Sequence, residues 1–162
     1  MPGKTDLSRL NCSLARALGA VGDWWTLLIV RDAMFGVKRF SDFQHSLGIA
    51  RNILSSRLAR LIEADILARQ GTEARPLYVL TAKGRALLPA LVALMQWGDA
   101  WQSDGKPPVV VTDTAGRAIK PLGVRSPSGA LLDSAGVRFA PGPGADKRTR
   151  AFFKARETED SD

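Results

Sequence analysis

A mainly α fold with a small β wing, a winged helix-turn-helix with a short β-rich C-terminal appendage, is predicted by three observations. Two short helical segments, around Ser41–Leu47 and Arg51–Ala64, are joined through Gly48, and the second carries a polar face. Two strand-like runs flanking a polar turn follow at once, at Ile66–Gln70 and Leu77–Leu80. A long apolar-periodic segment then closes the pattern.

The elements can be justified in order. Leu7, Leu10, Leu14, Leu18 and Val21 recur in steps of three and four, which predicts a first helix running through Cys12. Asp23 is placed to cap a second helix, Trp24 to about Phe35, with Gly36 free to take a left-handed exit. That segment is apolar on most faces, through Trp24, Trp25, Leu27, Leu28, Ile29 and Val30, and so reads as central core. Ser41 with Gln44 three residues on has the form of a capping box, and Gly48 permits the exit. In the next helix, Leu54, Leu58, Leu61, Ile62 and Asp65 share one side, and Asn52, Ser56, Ala59, Arg60 and Glu63 the other.

The strands around a Gly71–Pro76 turn form a β-hairpin. Thr81 then caps a long helix, Ala82 to Ser103, in which Pro89 should produce a kink because it has no N–H for the Arg85 carbonyl. Beyond Gly105 prolines alternate with glycines, and turn signals at Asp113–Gly116 and Ser126–Gly129 predict two short hairpins. The expected organisation is therefore a winged helix-turn-helix domain over residues 1–103, a β-rich appendage over 104–145 and a frayed or partly helical tail over 146–162.

Composition narrows the function classes. The 162 residues are 45% apolar, enough for one compact core, and no run of roughly 18 apolar residues could span a bilayer. The first residues, MPGKTD, are charged and lack the apolar stretch of a secretory signal, so a cytoplasmic protein is expected. A single cysteine, Cys12, rules out an intramolecular disulfide. The net charge of +7 and pI near 10.2 favour an anionic partner. Residues 1–103 hold 13 Lys/Arg against 8 Asp/Glu, and residues 104–162 hold 10 against 8, so the first part is the more basic.

A helix-turn-helix followed by a hairpin gives double-stranded DNA binding a physical basis, because a helix fits the major groove and a hairpin can reach the flanking minor groove. At the start of the second helix, Arg51, Asn52, Ser55 and Ser56 are the candidates for base edges, Arg suiting guanine and Asn adenine. Lys38, Arg39, Arg57 and Arg60 suit phosphates, and Arg75, near the hairpin tip, suits the minor groove. Each of these charges alone could equally be a solvated surface group.

The run from Cys12 through GDWWTLLIVRD, KRFSDF, LSSRLARL and YVLTAKGR, to about Trp101, resembles the HxlR-type branch of winged-helix regulators, related to MarR-like proteins. The resemblance implies a homodimer joined through the first and last helices, a roughly palindromic operator, and a cysteine ahead of the first helix that can sense oxidants or electrophiles. Leu7, Leu10, Leu14, Leu87, Leu91, Leu94 and Trp101 are the expected interface, since a monomer this small cannot bury both stripes. The wing lacks the double proline of that branch and is shortened. Paired cysteines found after the last helix in some relatives are missing here, so neither a zinc site nor any other cofactor is expected.

Cys12 is the candidate redox sensor, although a lone cysteine is also an ordinary small hydrophobe. His45 reads as a solvated or core-edge imidazole more readily than as a phosphate contact. Trp24, Trp25, Phe35, Trp97 and Trp101 read first as core, with a pocket for a small aromatic or electrophilic effector as the alternative. No nucleophile elbow, phosphate loop or ligand cluster supports an enzyme. The competing reading is a winged helix that binds proteins through the same surface, which would present an apolar strip where DNA binding needs a positive one.

Overall fold

The computed structural model describes residues 7–159, so Met1–Asp6, the charged first residues read above against a secretory signal, and Asp160–Asp162 lie outside the described residues. The chain divides into two compact units. Ala20–Leu122 forms one, and the described parts of residues 1–19 and 123–162 form the other.

Helix α1 (Ser13–Val21) passes from one to the other, preceded by a 3-10 turn at Leu7–Arg9. The first helix is thus interrupted ahead of Cys12 rather than running through it. Asn11 explains the interruption in part. Its side chain is committed elsewhere, donating to the Gly144 carbonyl and accepting from the Asp146 N–H and the Thr149 hydroxyl.

In the larger unit, Asp23 caps α2 (Trp24–Met34) by accepting from the Thr26 N–H at 3.4 Å. The helix ends in a Schellman arrangement: Gly36 takes φ +94°, its N–H reaching the Ala33 carbonyl and that of Val37 the Asp32 carbonyl. Ile29, Val30 and Thr26 are buried, but Trp24 is 71% exposed, so α2 is not core on every face.

The expected capping box is absent. Helix α3 (Phe40–Leu47) begins two residues earlier than a Ser41 cap would give, with Arg39 at the cap position and no side-chain cap. Ser41 instead donates to Asp42 Oδ1. Packing sets this start: Phe43 is fully buried and Phe40, three residues before it on the same face, rests on the core. Gly48 ends the helix in the left-handed region.

Helix α4 (Arg51–Glu63) buries Leu54, Leu58 and Leu61 and ends in a second Schellman turn, in which Asp65 takes φ +56°. Strand β1 (Leu67–Thr72) and strand β2 (Arg75–Leu80) pair antiparallel from Leu67↔Leu80 to Thr72↔Arg75. The loop is only Glu73–Ala74, shorter than the predicted Gly71–Pro76. Gly71 allows the pairing to continue because it adopts φ +81°, where a Cβ would press on the Arg75 carbonyl.

Thr81 caps α5 (Ala82–Arg85) through the Gly84 N–H at 3.0 Å. The predicted single kinked helix is two helices, because the chain turns at Ala86–Leu87 and restarts as α6 (Leu88–Gln102). Pro89 lands in the first turn of α6, where its missing N–H has no partner to lose.

Two of the expected interface residues are corrected here. Leu91 is 7% exposed and Leu87 packs on the core, so both serve the monomer's own interior. Leu94, Trp97 and Trp101 point outward at 55%, 58% and 72% exposure. Of the N-terminal stripe, Leu10, Leu14 and Leu18 are exposed and Leu7 half-buried.

The turn at Asp113–Gly116 closes a small bridge, Thr112↔Ala118, within the larger unit, where Gln96 accepts from the Leu122 N–H and donates to the Lys120 carbonyl. In the other unit, β3 (Val124–Arg125) pairs with β4 (Leu131–Leu132) around Ser126–Gly129. The basic segment expected to be frayed or partly helical forms α7 (Lys147–Glu159), capped by Asp146, whose side chain accepts from the Thr149 N–H.

Candidate nucleic-acid interface

The two helices of the motif, α3 and α4, and the β1–β2 hairpin converge because of a few specific contacts. The Tyr78 N–H donates to the Lys38 carbonyl at 2.8 Å, which fixes the hairpin beside the chain entering α3. Phe43 and Tyr78 meet edge to face across the same junction, with ring centroids 6.5 Å apart.

Between these elements lies a cleft of about 500 Å³ lined by Arg39, Phe40, Ser41, Arg51, Ser55, Ala74, Arg75, Pro76 and Tyr78. Three guanidinium-bearing residues line it and no carboxylate does. Arg39, Arg51 and Arg75 are all exposed, and the Arg51 guanidinium sits over the Phe40 ring at 5.6 Å from its centroid. The Ser55 hydroxyl adds a donor suited to the oxygens of a phosphate, whereas Ser41, which also lines the cleft, gives its hydrogen to Asp42.

The remaining candidates divide by helix face. Asn52, Ser56 and Arg60 are exposed on α4 but do not line the cleft, and Lys38 is exposed ahead of α3. Arg57 differs from the sequence expectation of a phosphate contact. Its Nε donates to Asp23 Oδ1 and its Nη2 to Asp23 Oδ2, both at 2.8 Å, with only 21% of the arginine side chain and 26% of the aspartate exposed. The guanidinium therefore ties α4 to the cap of α2. Burial alone would raise the Asp23 carboxyl. The hydrogen bonds and charge of Arg57, with the backbone N–H groups of Thr26 and Trp25, outweigh it and hold the group below the ordinary carboxylate value.

The helical period contained the signal for this: Arg57 lies three residues after Leu54 and four before Leu61, on the flank of the buried stripe. Sequence reasoning also missed Ser41, which was assigned to a cap, and Arg69. On β1, opposite Tyr78 in the register, Arg69 is exposed and donates to the Glu73 carbonyl at the hairpin tip.

His45 is exposed on α3. Cys12 is exposed one residue before α1 and is a free thiol. Trp24, Trp97 and Trp101 are surface residues and Phe35 is half exposed, while Trp25 packs against the core. Among the described residues, no group of three or more His, Cys, Asp or Glu could hold a metal ion, and no helix is long and apolar enough to cross a membrane.

Residues 20–106 match the HxlR-like helix-turn-helix family. The chain is 41% identical over 137 residues to the uncharacterized HTH-type transcriptional regulator Rv3095 of Mycobacterium tuberculosis, covering 82% of this chain and 87% of that one. Its structure is similar to that of PA1607, a candidate transcription factor, with a TM-score of 0.78 and 38% identity over 84% of this chain and 99% of that one. The redox regulator HypR in its reduced form is similar at a TM-score of 0.51 and 25% identity, over 55% of this chain and 95% of that one. These relatives are regulators rather than enzymes. The chain belongs to the HxlR-like helix-turn-helix family and is a transcriptional regulator of the helix-turn-helix type.

Proposed function

We propose that this regulator binds operator DNA sequence-specifically as a homodimer, with the first half of α4 in the major groove and the β1–β2 hairpin directed at the minor groove. The observation that carries the reading is the carboxylate-free cleft of Arg39, Arg51 and Arg75 beside the exposed Asn52, Ser55 and Ser56. Phosphate held by the arginines would set the register of α4, and Asn52 would read a base edge, with adenine the geometric match. Lys38 and Arg60 extend the positive surface on either side. An apolar strip suited to a protein partner is not what this face presents.

Dimer formation is supported by the outward stripe of Leu94, Trp97 and Trp101 on α6 and by Leu10, Leu14 and Leu18 near the N-terminus. A redox or electrophile response belongs to the same reading, supported by the exposed Cys12 thiol and the similarity to HypR.

Fluorescence anisotropy with the Asn52→Ala variant tests the base-reading assignment. On a duplex from the chain's own upstream region, the variant should lose about 1–3 kcal/mol of preference over scrambled DNA and keep its salt dependence. An unchanged preference would remove Asn52 from base recognition and leave α4 without its main reader.

A further inference from the structure

A second cleft in the larger unit is chemically unlike the first. It has a volume of about 410 Å³ and lies between the end of α2, Ser46 of α3, Met95 and Asp99 of α6, and the bend at Pro108–Val109. Clefts of a few hundred Å³ are of the size that takes small ligands.

Its charge is carried by Arg31, Asp32 and Asp99, one cation against two carboxylates. Asp32 is 1% exposed. Both donors that Arg31 offers it, Nε at 2.9 Å and Nη2 at 2.7 Å, go to the same oxygen, Oδ1. Oδ2 is buried and accepts no hydrogen bond among the described residues. A buried carboxylate oxygen in that condition is costly, and a donor supplied from outside relieves it. Phe35, Met95, Pro108 and Val109 supply apolar wall. The Arg31 guanidinium lies over the Phe35 ring at 5.8 Å, which holds that wall in place.

We infer that this cleft is a binding site for a small organic cation, an ammonium group carried on an aromatic or short aliphatic body. The ammonium satisfies Asp32 Oδ2 and the uncompensated charge of Asp99, and the body lies against Met95, Val109 and the Phe35 ring. A carboxylate or quinone has no N–H for Oδ2 and meets the excess negative charge. A divalent metal lacks ligands, since only two carboxylates line the cleft. Any effect of the cation on DNA affinity rests on the function proposed above. Binding itself does not, so it is measured on protein alone.

The test is the thermal melting and titration of the intact chain with benzylamine, protonated at neutral pH, beside its neutral counterpart benzyl alcohol. Benzylamine should raise Tm saturably, and benzyl alcohol, which offers an O–H to Oδ2 but no charge to Asp99, should bind at least tenfold more weakly. Asp99→Asn should weaken benzylamine several-fold and Asp32→Asn at least tenfold. Should Asp32→Asn fail to fold, Val109→Trp, which fills the cleft from its exposed edge without touching a charge, must abolish the shift. No shift with benzylamine, equal shifts with both compounds, or unchanged affinity in Asp99→Asn and Val109→Trp would overturn the site.

Discussion

Replacing Asp23 by asparagine and Arg57 by methionine, singly and together, isolates the contact that joins α4 to the cap of α2. Asparagine retains the cap on α2, and methionine retains most of the arginine stem, so the cycle reports the ion pair itself. At the 2.8 Å separation two unit charges attract by about 6 kcal/mol at an effective dielectric of 20 and by about 1.5 kcal/mol in water. About a quarter of each side chain is exposed. Desolvation and side-chain entropy then leave a coupling of about 1–2 kcal/mol, above the usual surface pair and below a buried one.

Urea unfolding of the four proteins at neutral pH measures that coupling. Because folding lowers the Asp23 pKa, the stabilisation is present above its unfolded value near about 3.9 and is lost as pH falls through the folded value. The coupling should therefore vanish in strong acid. A coupling near zero at neutral pH, or one of equal size in acid, would refute the assignment. The same variant tests the role of Arg57 in binding: with its guanidinium committed to Asp23, Arg57→Met should leave the salt slope on DNA unchanged, whereas loss of a phosphate contact lowers it by about 0.9.

Three further outcomes are expected. Gly84→Ala should destabilise the fold by about 1–3 kcal/mol in urea, because a Cβ at this buried position collides with the Ile66 carbonyl and meets Leu80 Cδ2 at 2.9 Å. Leu94→Glu with Trp101→Ala should turn the proposed dimer into a monomer in sedimentation while leaving the helical content intact, since both side chains are exposed in the single chain. If Cys12 carries the redox response, diamide should reduce operator affinity in wild type and leave Cys12→Ser unaffected, in a reversible manner restored by thiols.

Features governed by local chemistry were legible in the sequence. The Asp23 and Thr81 caps, the Gly36 and Gly48 exits and the Leu54–Leu58–Leu61 stripe each follow from a residue's own backbone preference or from helical period. Features decided by tertiary packing were not. Ser41 and Gln44 have the letters of a capping box, but burial of Phe43 starts α3 earlier. Leu87 and Leu91 share a stripe with Leu94, yet the first two pack into the core while Leu94 stays exposed, because helical period alone does not say how much of a stripe a neighbouring element covers.

The candidate site shows the same division. Asn52 and Ser56 could be placed on one polar face by counting, whereas the meeting of Arg39, Arg51 and Arg75 depends on the hydrogen bond from Tyr78 to Lys38, between residues 40 positions apart. Arg57 shows the converse, a charge whose partner, Asp23, lies 34 residues away. Residue type suggested phosphate, and the fold assigned it to a carboxylate.

The most direct measurement is anisotropy of this chain on its own upstream DNA and on scrambled duplex over a salt series, for wild type and for the triple variant Arg39→Ala, Arg51→Ala, Arg75→Ala. The account predicts preferential binding of the upstream DNA by wild type, with the triple variant weakened on both duplexes and its salt slope reduced by about three. Equal weak binding of wild type to both duplexes, or a triple variant with unaltered affinity and slope, would contradict it.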